Sequence, residues 1–340
     1  MNSALLRKNI LVTGGAGSIG SEIVRQALAN GATKVIIFSR DEIKHFLIRK
    51  EIIDNRLQTV VGDIRDIKSL ERVFIQNEID IIFHAAAMKH VVICEEAPLE
   101  AVRTNIIGTS NVVDLSVKYK IPKLVAISTD KAARPINVMG ATKFLAESLV
   151  LNATKDYSKG QLFSCVRFGN VAASRGSVIP LFVDNLLKQQ PLVVTDLEVT
   201  RFIIRIPDAV ELVLKAAQQA KGGEIFILKM RAFLLKDLVD VMRTRIAPRL
   251  KIKTENVITQ ITGLTQGEKI HEVLIGDANE AMRTIELEDM YVVSRQTNPV
   301  EHRNQESPLK YDSSNVERLS CDELEHIVIE YIKNQLSLKV

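Results

Sequence analysis

The sequence is poor in cysteine and uses it singly. Cys94, Cys165 and Cys321 are its three cysteines; with no Cys-x-x-Cys pair and no histidine at zinc-ligand spacing, they exclude a disulfide scaffold and leave no metal expected. A reducing cytosol is the expected compartment. Charge of one sign is also lacking. Lys and Arg number 45 against 41 Asp and Glu, a net +4 scattered along 340 residues. No basic run stands ready for nucleic acid or an anionic membrane surface, so neither is expected as a partner. No stretch approaches the roughly 18 consecutive apolar residues of a membrane span, and Met1 leads through Arg7 and Lys8 directly into a strand pattern without a signal peptide. Linkers rich in proline or glycine and internal repeats are missing too. What remains, 46% hydrophobic and 25% charged residues, can bury the core of one large or two modest domains.

The first half alternates short β-branched runs with amphipathic stretches. Strands are predicted at 9–13, 34–38, 59–62, 79–84 and 123–128, with helices at 18–29, 41–53, 68–76, 98–119 and 138–155. Strands apolar along their whole length belong in a parallel sheet covered on both faces, so the expected class is α/β, a Rossmann-type doubly wound sheet. After a sixth strand at 162–168 the pattern loosens. A loop at 173–177, a helix at 207–220, a strand at 224–228 and a helix at 234–245 suggest a smaller mixed α/β lobe. Residues 1–170 are thus expected to form mainly the dinucleotide domain. Residues 171–340, including a final helix at 321–334, mainly form a substrate lobe interleaved with it. The polar stretch 294–307 is expected to be a mobile loop.

The first strand runs into Thr13-Gly14-Gly15-Ala16-Gly17-Ser18-Ile19-Gly20, glycines at the first, fourth and seventh places of a strand–turn–helix. Gly14 would permit the tight turn, Gly17 close approach of the pyrophosphate and Gly20 close helix packing, with the helix start at Ser18 and Ile19 supplying amides and positive dipole. Strand two ends in Ser39-Arg40-Asp41, with Lys44 nearby. A hydroxyl followed by a guanidinium suits a 2′-phosphate, which favours NADP over NAD. Asp63 and Ile64 after strand three are placed to meet the adenine, and Ala85, Ala86 and Ala87 after strand four leave room for the nicotinamide ribose.

Strand five leads into Ser128-Thr129-Asp130-Lys131, and Met139-Gly140-Ala141-Thr142-Lys143 opens the next helix. This pattern resembles the extended short-chain dehydrogenase/reductases. Within them, His84-Ala-Ala-Ala-Met-Lys89-His90, Pro135-x-Asn137-x-Met139, Arg167-Phe-Gly-Asn170-Val, Ser174-Arg-Gly-Ser177-Val178-Ile-Pro180, Thr200-Arg201-Phe202 and Gly267-Glu268-Lys269-x-His271-Glu272 resemble the polysaccharide-biosynthesis UDP-N-acetylglucosamine 4,6-dehydratases across nearly the whole chain. The resemblance implies a redox-neutral elimination: hydride leaves C4 of the sugar, water is lost across C5 and C6, and hydride returns to C6. It implies a tightly bound, recycled NADP or NAD, with Ser128, Asn105, Lys89 and Lys143 among the residues around it. Asp130 is assigned the acid for the C6 hydroxyl and Lys131 the base for the C5 proton. His84, His90 and His271 are read as packing residues or as supports for their neighbours.

Met139 stands where most of the superfamily has the catalytic Tyr, and a thioether cannot take a proton. Membrane-anchored dehydratases share this Met. The C4 hydroxyl proton then has three candidate destinations: Asp130, a water held by Thr129, or a relay. Lys89, Met139, Asn170, Ser177, Val178, Arg201 and Glu268 match positions facing the nucleotide sugar. The family's usual Gly-x-Arg-Pro-Gly-Glu-Lys is here Gly263-Leu264-Thr265-Gln266-Gly267-Glu268-Lys269, so a diphosphate-binding Arg is missing, with Arg205 a candidate replacement. An epimerase or reductase on the same fold stands as the alternative, as does a non-catalytic NADP-sensing protein. With no apolar span, the chain is expected to be the catalytic unit of such a dehydratase working in the cytosol as a homo-oligomer.

Overall fold

A computed structural model describes residues 5–156, 160–174, 176–294 and 310–336 of the chain. Apart from Ser294, the stretch expected as a mobile loop lies outside the described residues. Two compact units emerge, one from 1–168, 207–229 and 275–310, the other from 169–206, 230–274 and 311–340.

The strands in chain order are β1 (Asn9–Thr13), β2 (Lys34–Ser39), β3 (Leu57–Val61), β4 (Ile81–His84), β5 (Lys123–Ile127), β6 (Leu162–Arg167), β7 (Asn170–Val171), β8 (Leu192–Val194), β9 (Thr200–Ile204), β10 (Glu224–Leu228), β11 (Arg231–Leu234), β12 (Thr259–Ile261), β13 (Thr284–Glu286) and β14 (Met290–Ser294). Those of the first unit form one sheet in the order β13-β14-β10-β6-β5-β4-β1-β2-β3. It is parallel from β3 to β10, and β14 and β13 close its far edge antiparallel. Ile10, Leu11, Val12, Val35, Ile36, Ile37 and Phe38 are fully buried, as strands covered on both faces must be. The fold is α/β, a Rossmann-type doubly wound sheet. Its strand order reverses between β1 and β4, and the crevice outside their C-terminal ends is where such sheets bind ligands.

The structure departs from the sequence reading in several places. Residues 98–118 are not one regular helix: a π segment, Val102–Ile107, interrupts it. A short helix, Val91–Glu96, directly follows the β4 loop, and a ten-residue helix, Val178–Leu187, follows the expected loop at 173–177, where no element was expected. β7, β8, β12 and β13 are two or three residues long, too short for alternation to register. No helix among the described residues is long and apolar enough to cross a membrane.

The second unit holds the sheets β11-β9-β7 and β12-β8. Phe182, Phe233, Leu238 and Met242 form its core with Leu324, Val328 and Ile332, which recur every fourth residue on the final helix, Cys321–Leu336.

Candidate active site

The chain leaves β1 through Gly14 at φ +68°. A Cβ there would lie 2.7 Å from the Ala86 nitrogen, so glycine is what lets the turn lie against the backbone following β4. Gly17 N–H donates to the Gly14 carbonyl at 2.9 Å and stands at the N-cap of helix Ser18–Ala29 with no side chain to cap it. The amides of Ser18, Ile19 and Gly20 therefore have no partner among the described residues. A Cβ on Gly20 would strike the Gly14 carbonyl. Bare N–H groups at the positive end of a 12-residue helix, beside a turn no side chain can fill, fit the pyrophosphate of a dinucleotide.

Beneath this turn lies a buried polar chain. Thr13 Oγ1 is 2.7 Å from His84 Nδ1, His84 Nε2 is 2.9 Å from Thr109 Oγ1, and Thr109 donates to the Asn105 carbonyl at 2.7 Å. A hydroxyl has one proton, so Thr109 accepts from His84; Nε2 carries the hydrogen and Nδ1 accepts from Thr13. Burial, helped by the nearby Lys143 charge, pushes the His84 pKa down to about 3 and keeps the ring neutral. The Asn105 carboxamide accepts from Met88 N at 2.8 Å and donates to Met88 O and Thr142 Oγ1 at 3.0 Å each. It thereby fixes the loop that carries Ala85, Ala86 and the exposed Lys89. The π segment holds Asn105 in this position. Thr13 and Asn105, expected to touch cofactor, are buried and bonded to protein partners.

At the end of β2, Asp41 caps helix Glu42–Glu51, accepting from Lys44 N at 3.1 Å and pairing with Lys44 Nζ at 2.8 Å. Those bonds hold its carboxyl below the usual range. The Arg40 side chain, 54% exposed, comes no nearer to Asp63 than 3.8 Å. Asp63 is gripped by Arg65 through Nε at 2.8 Å and the backbone amide at 2.9 Å. Burial raises its pKa, but the Arg65 bonds and the Arg40 charge outweigh that and lower it. Ile64 is buried.

The turn after β5 carries the most chemistry. The Asp130 side chain is 1% exposed; its Oδ1 accepts from Thr129 Oγ1 at 2.7 Å and from Lys131 Nζ at 3.1 Å. Its Oδ2 is buried and has no hydrogen-bond partner among the described residues. A buried carboxylate oxygen without a donor is costly and is the atom through which this turn can take or give a proton. Gly140 permits the arrangement, since a Cβ there would collide with the Lys131 carbonyl. Met139 does not join the turn: it is 3% exposed and packs with Cys94 and Ala101 in an apolar cluster edged by Met88, Val91 and Val138. Lys143 donates to the Ile127 carbonyl at 2.6 Å. Burial lowers its pKa, opposed by the charge of Glu147 four residues on.

Behind the turn is a cluster that sequence reading missed. Ser128 donates its hydroxyl to Glu147, so it too is committed to the protein. Glu147 also receives the fully buried Arg167, through Nε at 3.1 Å and Nη2 at 2.7 Å. The other edge of Arg167 meets Glu280 at 2.9 and 3.1 Å, and Glu280 accepts from Gly276 N at 2.6 Å. Burial alone would lower the guanidinium pKa, but the two carboxylates hold it raised. The sequence hint was Glu147's place one helical turn beyond Lys143.

In the second unit, Arg201 Nη2 donates to Glu268 Oε1 at 2.8 Å. Thr195 donates to the same oxygen at 3.0 Å, and Thr265, at the site of the family's missing Arg, donates to Glu268 Oε2 at 3.1 Å. Asn170 lies in β7, and Ser177 precedes helix Val178–Leu187 with its buried Oγ unpartnered among the described residues. Val178 packs on the unit's core, and Arg205 is exposed.

Residues 10–295 match the family model of a polysaccharide biosynthesis protein. The chain is 46% identical over 84% of its length to an uncharacterized membrane protein of Methanocaldococcus jannaschii, covering 85% of that protein. It is 39% identical over 84% of its length to a UDP-N-acetylglucosamine 4,6-dehydratase (inverting) of Campylobacter jejuni, covering 83% of it. A UDP-glucose 4-epimerase of Rickettsia rickettsii is 34% identical over 97% of this chain and 98% of its own. Among solved structures, Pen from Bacillus thuringiensis superposes with a TM-score of 0.88 at 38% identity, over 96% of this chain and 98% of that one.

Proposed function

Because the chain belongs to the polysaccharide-biosynthesis family of extended short-chain dehydrogenase/reductases, an NAD(P)-dependent group acting on nucleotide sugars, we propose that it is a UDP-N-acetylglucosamine 4,6-dehydratase. The carrying observation is the buried, unpartnered Oδ2 of Asp130 next to Lys131. A bound nicotinamide supplies the acceptor, and later the donor, of the hydride that moves from C4 to C6. Asp130 Oδ2 takes the C4 hydroxyl proton, since Met139 cannot, and then delivers it to the departing C6 hydroxyl, which leaves as water. Lys131 withdraws the C5 proton and returns it. Protons and electrons balance with no outside reductant, and one carboxyl serves as base and then acid. Thr129 anchors Asp130 Oδ1, and Lys143 supports the nicotinamide ribose from its place above Ile127.

The pyrophosphate is assigned to the amides of Ser18, Ile19 and Gly20, and the 2′ end to Ser39, Arg40 and Lys44, which favours NADP. Lys89, Asn170, Ser177, Arg201, Arg205 and Glu268 are assigned to the UDP-sugar. Exposed Leu99, Ile107, Phe144 and Leu145 support self-association through residues 98–118 and 138–156, and the reaction is assigned to the cytosol, in polysaccharide biosynthesis.

An epimerase needs a group for the C4 proton and no acid for C6. Incubation with UDP-N-acetylglucosamine without added reductant, followed by mass spectrometry, separates the two. Loss of one water is the expected result; unchanged mass with a new C4 epimer overturns the dehydratase in favour of the epimerase.

A further inference from the structure

We propose that His45 is a specificity-determining residue for the dinucleotide: it fixes the Ser39 hydroxyl as a hydrogen-bond donor, so that the end of β2 selects a 2′-phosphate over a 2′-hydroxyl. The inference rests on the reading of the first unit as a nicotinamide dinucleotide site.

His45 is buried on the first turns of helix Glu42–Glu51. Its Nε2 lies 2.7 Å from Ser39 Oγ and 3.0 Å from the Ser39 carbonyl oxygen. A carbonyl oxygen only accepts, so Nε2 must carry the ring hydrogen and share it between the two oxygens. Ser39 Oγ is thereby an acceptor toward His45, and the serine's own proton is left to point away. The opposite ring nitrogen, Nδ1, is buried with no partner among the described residues, and burial lowers the ring's pKa, which agrees with a neutral Nε2–H tautomer.

The neighbouring groups favour the same ligand. A ribose 2′-hydroxyl seeks an acceptor at this position, usually a carboxylate. The nearest candidate, Asp41, is turned into its own helix and paired with Lys44. What stands at the strand end is a hydroxyl proton, the half-exposed guanidinium of Arg40 and the ammonium of Lys44, whose side chain is 41% exposed. These are partners for a phosphate dianion. Ser39 would be the one neutral group able to serve either cofactor; by occupying one of its two lone pairs, His45 turns the serine proton outward, where a phosphate oxygen, which only accepts, gains most from it.

The test titrates NADPH and NADH, followed by their own fluorescence, into the full chain and the variants His45→Phe, His45→Gln and Ser39→Ala. The wild type is expected to bind NADPH more tightly. His45→Phe keeps the ring volume and loses the donor; it should weaken NADPH about tenfold, the scale of one lost charge-assisted hydrogen bond, and leave NADH within about twofold. His45→Gln, which can donate from its amide, should restore most of the ratio. Ser39→Ala should reproduce the ratio change of His45→Phe, with no further change in the double variant, which keeps the test decisive should His45→Phe fold poorly. Equal weakening of both nucleotides, or an unchanged ratio, reduces His45 to packing and overturns the proposal. A wild type that prefers NADH overturns the selectivity while leaving the dinucleotide site standing; a folded wild type that binds neither overturns the site itself.

Discussion

Two buried carboxylates beside β5 are treated in opposite ways. Glu147 receives Ser128 and two arms of Arg167, and Arg167 is completed by Glu280. Asp130 has both of its donors on one oxygen and none on the other. A charge cluster whose donors and acceptors are matched to one another is costly to disrupt and so serves as scaffold. A carboxylate left half satisfied in the same dry surroundings keeps one oxygen without a donor among the described residues, which leaves that oxygen open to a substrate hydroxyl, as the proposed exchange of a proton requires. The proposed mechanism places the proton chemistry on the group whose bonds are incomplete.

The comparison breaks first at Asp130. Asp130→Asn preserves shape and removes the proton site, so turnover is expected to fall about 10³-fold, the scale of a lost general acid–base group, while cofactor affinity stays within about twofold and stability is nearly unchanged. Turnover measured beside a cofactor titration checks this, and near-normal turnover would move the proton to Thr129-held water or a relay.

Arg167→Met tests the other carboxylate. Removing the central cation strands two buried acids, Glu147 and Glu280, and should destabilise the fold by about 3–5 kcal/mol, read from urea unfolding. Should this variant keep its stability and lose turnover as Asp130→Asn does, the division into scaffold and chemistry fails.

His84 sharpens the same division through pH. Its folded pKa is about 3 against an ordinary 6.5, so the folded state binds fewer protons than the unfolded chain between those values. Its contribution is fully present above pH 6.5 and is lost as pH falls toward 3, at about 1.4 kcal/mol per pH unit. His84→Gln should therefore flatten the decline of stability between pH 6 and 4.5 relative to wild type, measured by denaturant midpoints at each pH. An identical slope in both proteins would show that the ring protonates without cost and that its tautomer is not enforced.

These expectations also mark which residues could be recognised in the sequence. Gly14, Gly17 and Gly20 act within a single strand–turn–helix, and Asp130 and Lys131 are adjacent, so local pattern and spacing reveal them. Arg167 and Glu280 are 113 residues apart, and Glu147 meets Ser128 across 19; no periodicity encodes such pairs. The bonds of Asn105 to Met88 and Thr142 were not legible, because the π segment in which it lies breaks the 3.6-residue count on which helical faces are read. The same limit applied to the short strands of the second unit, where pairing with distant partners, not propensity, makes β7, β8 and β12.

The smallest expected effect is at the position that looked most anomalous. Met139 fills a cluster with Cys94 and Ala101 and donates nothing to the Asp130 turn. A tyrosine there must fit a stiffer ring into an apolar site or turn its hydroxyl outward, and overpacking of this kind typically costs about 1–3 kcal/mol. If Asp130 already manages the C4 proton, a phenol adds a second acceptor to a step that does not lack one. Met139→Tyr is therefore expected to leave turnover within a few-fold of wild type, with a modest loss of stability in the same unfolding assay. A gain of orders of magnitude would mean that the chain lacks a base at this step, and the role given to the bare oxygen of Asp130 would have to be withdrawn.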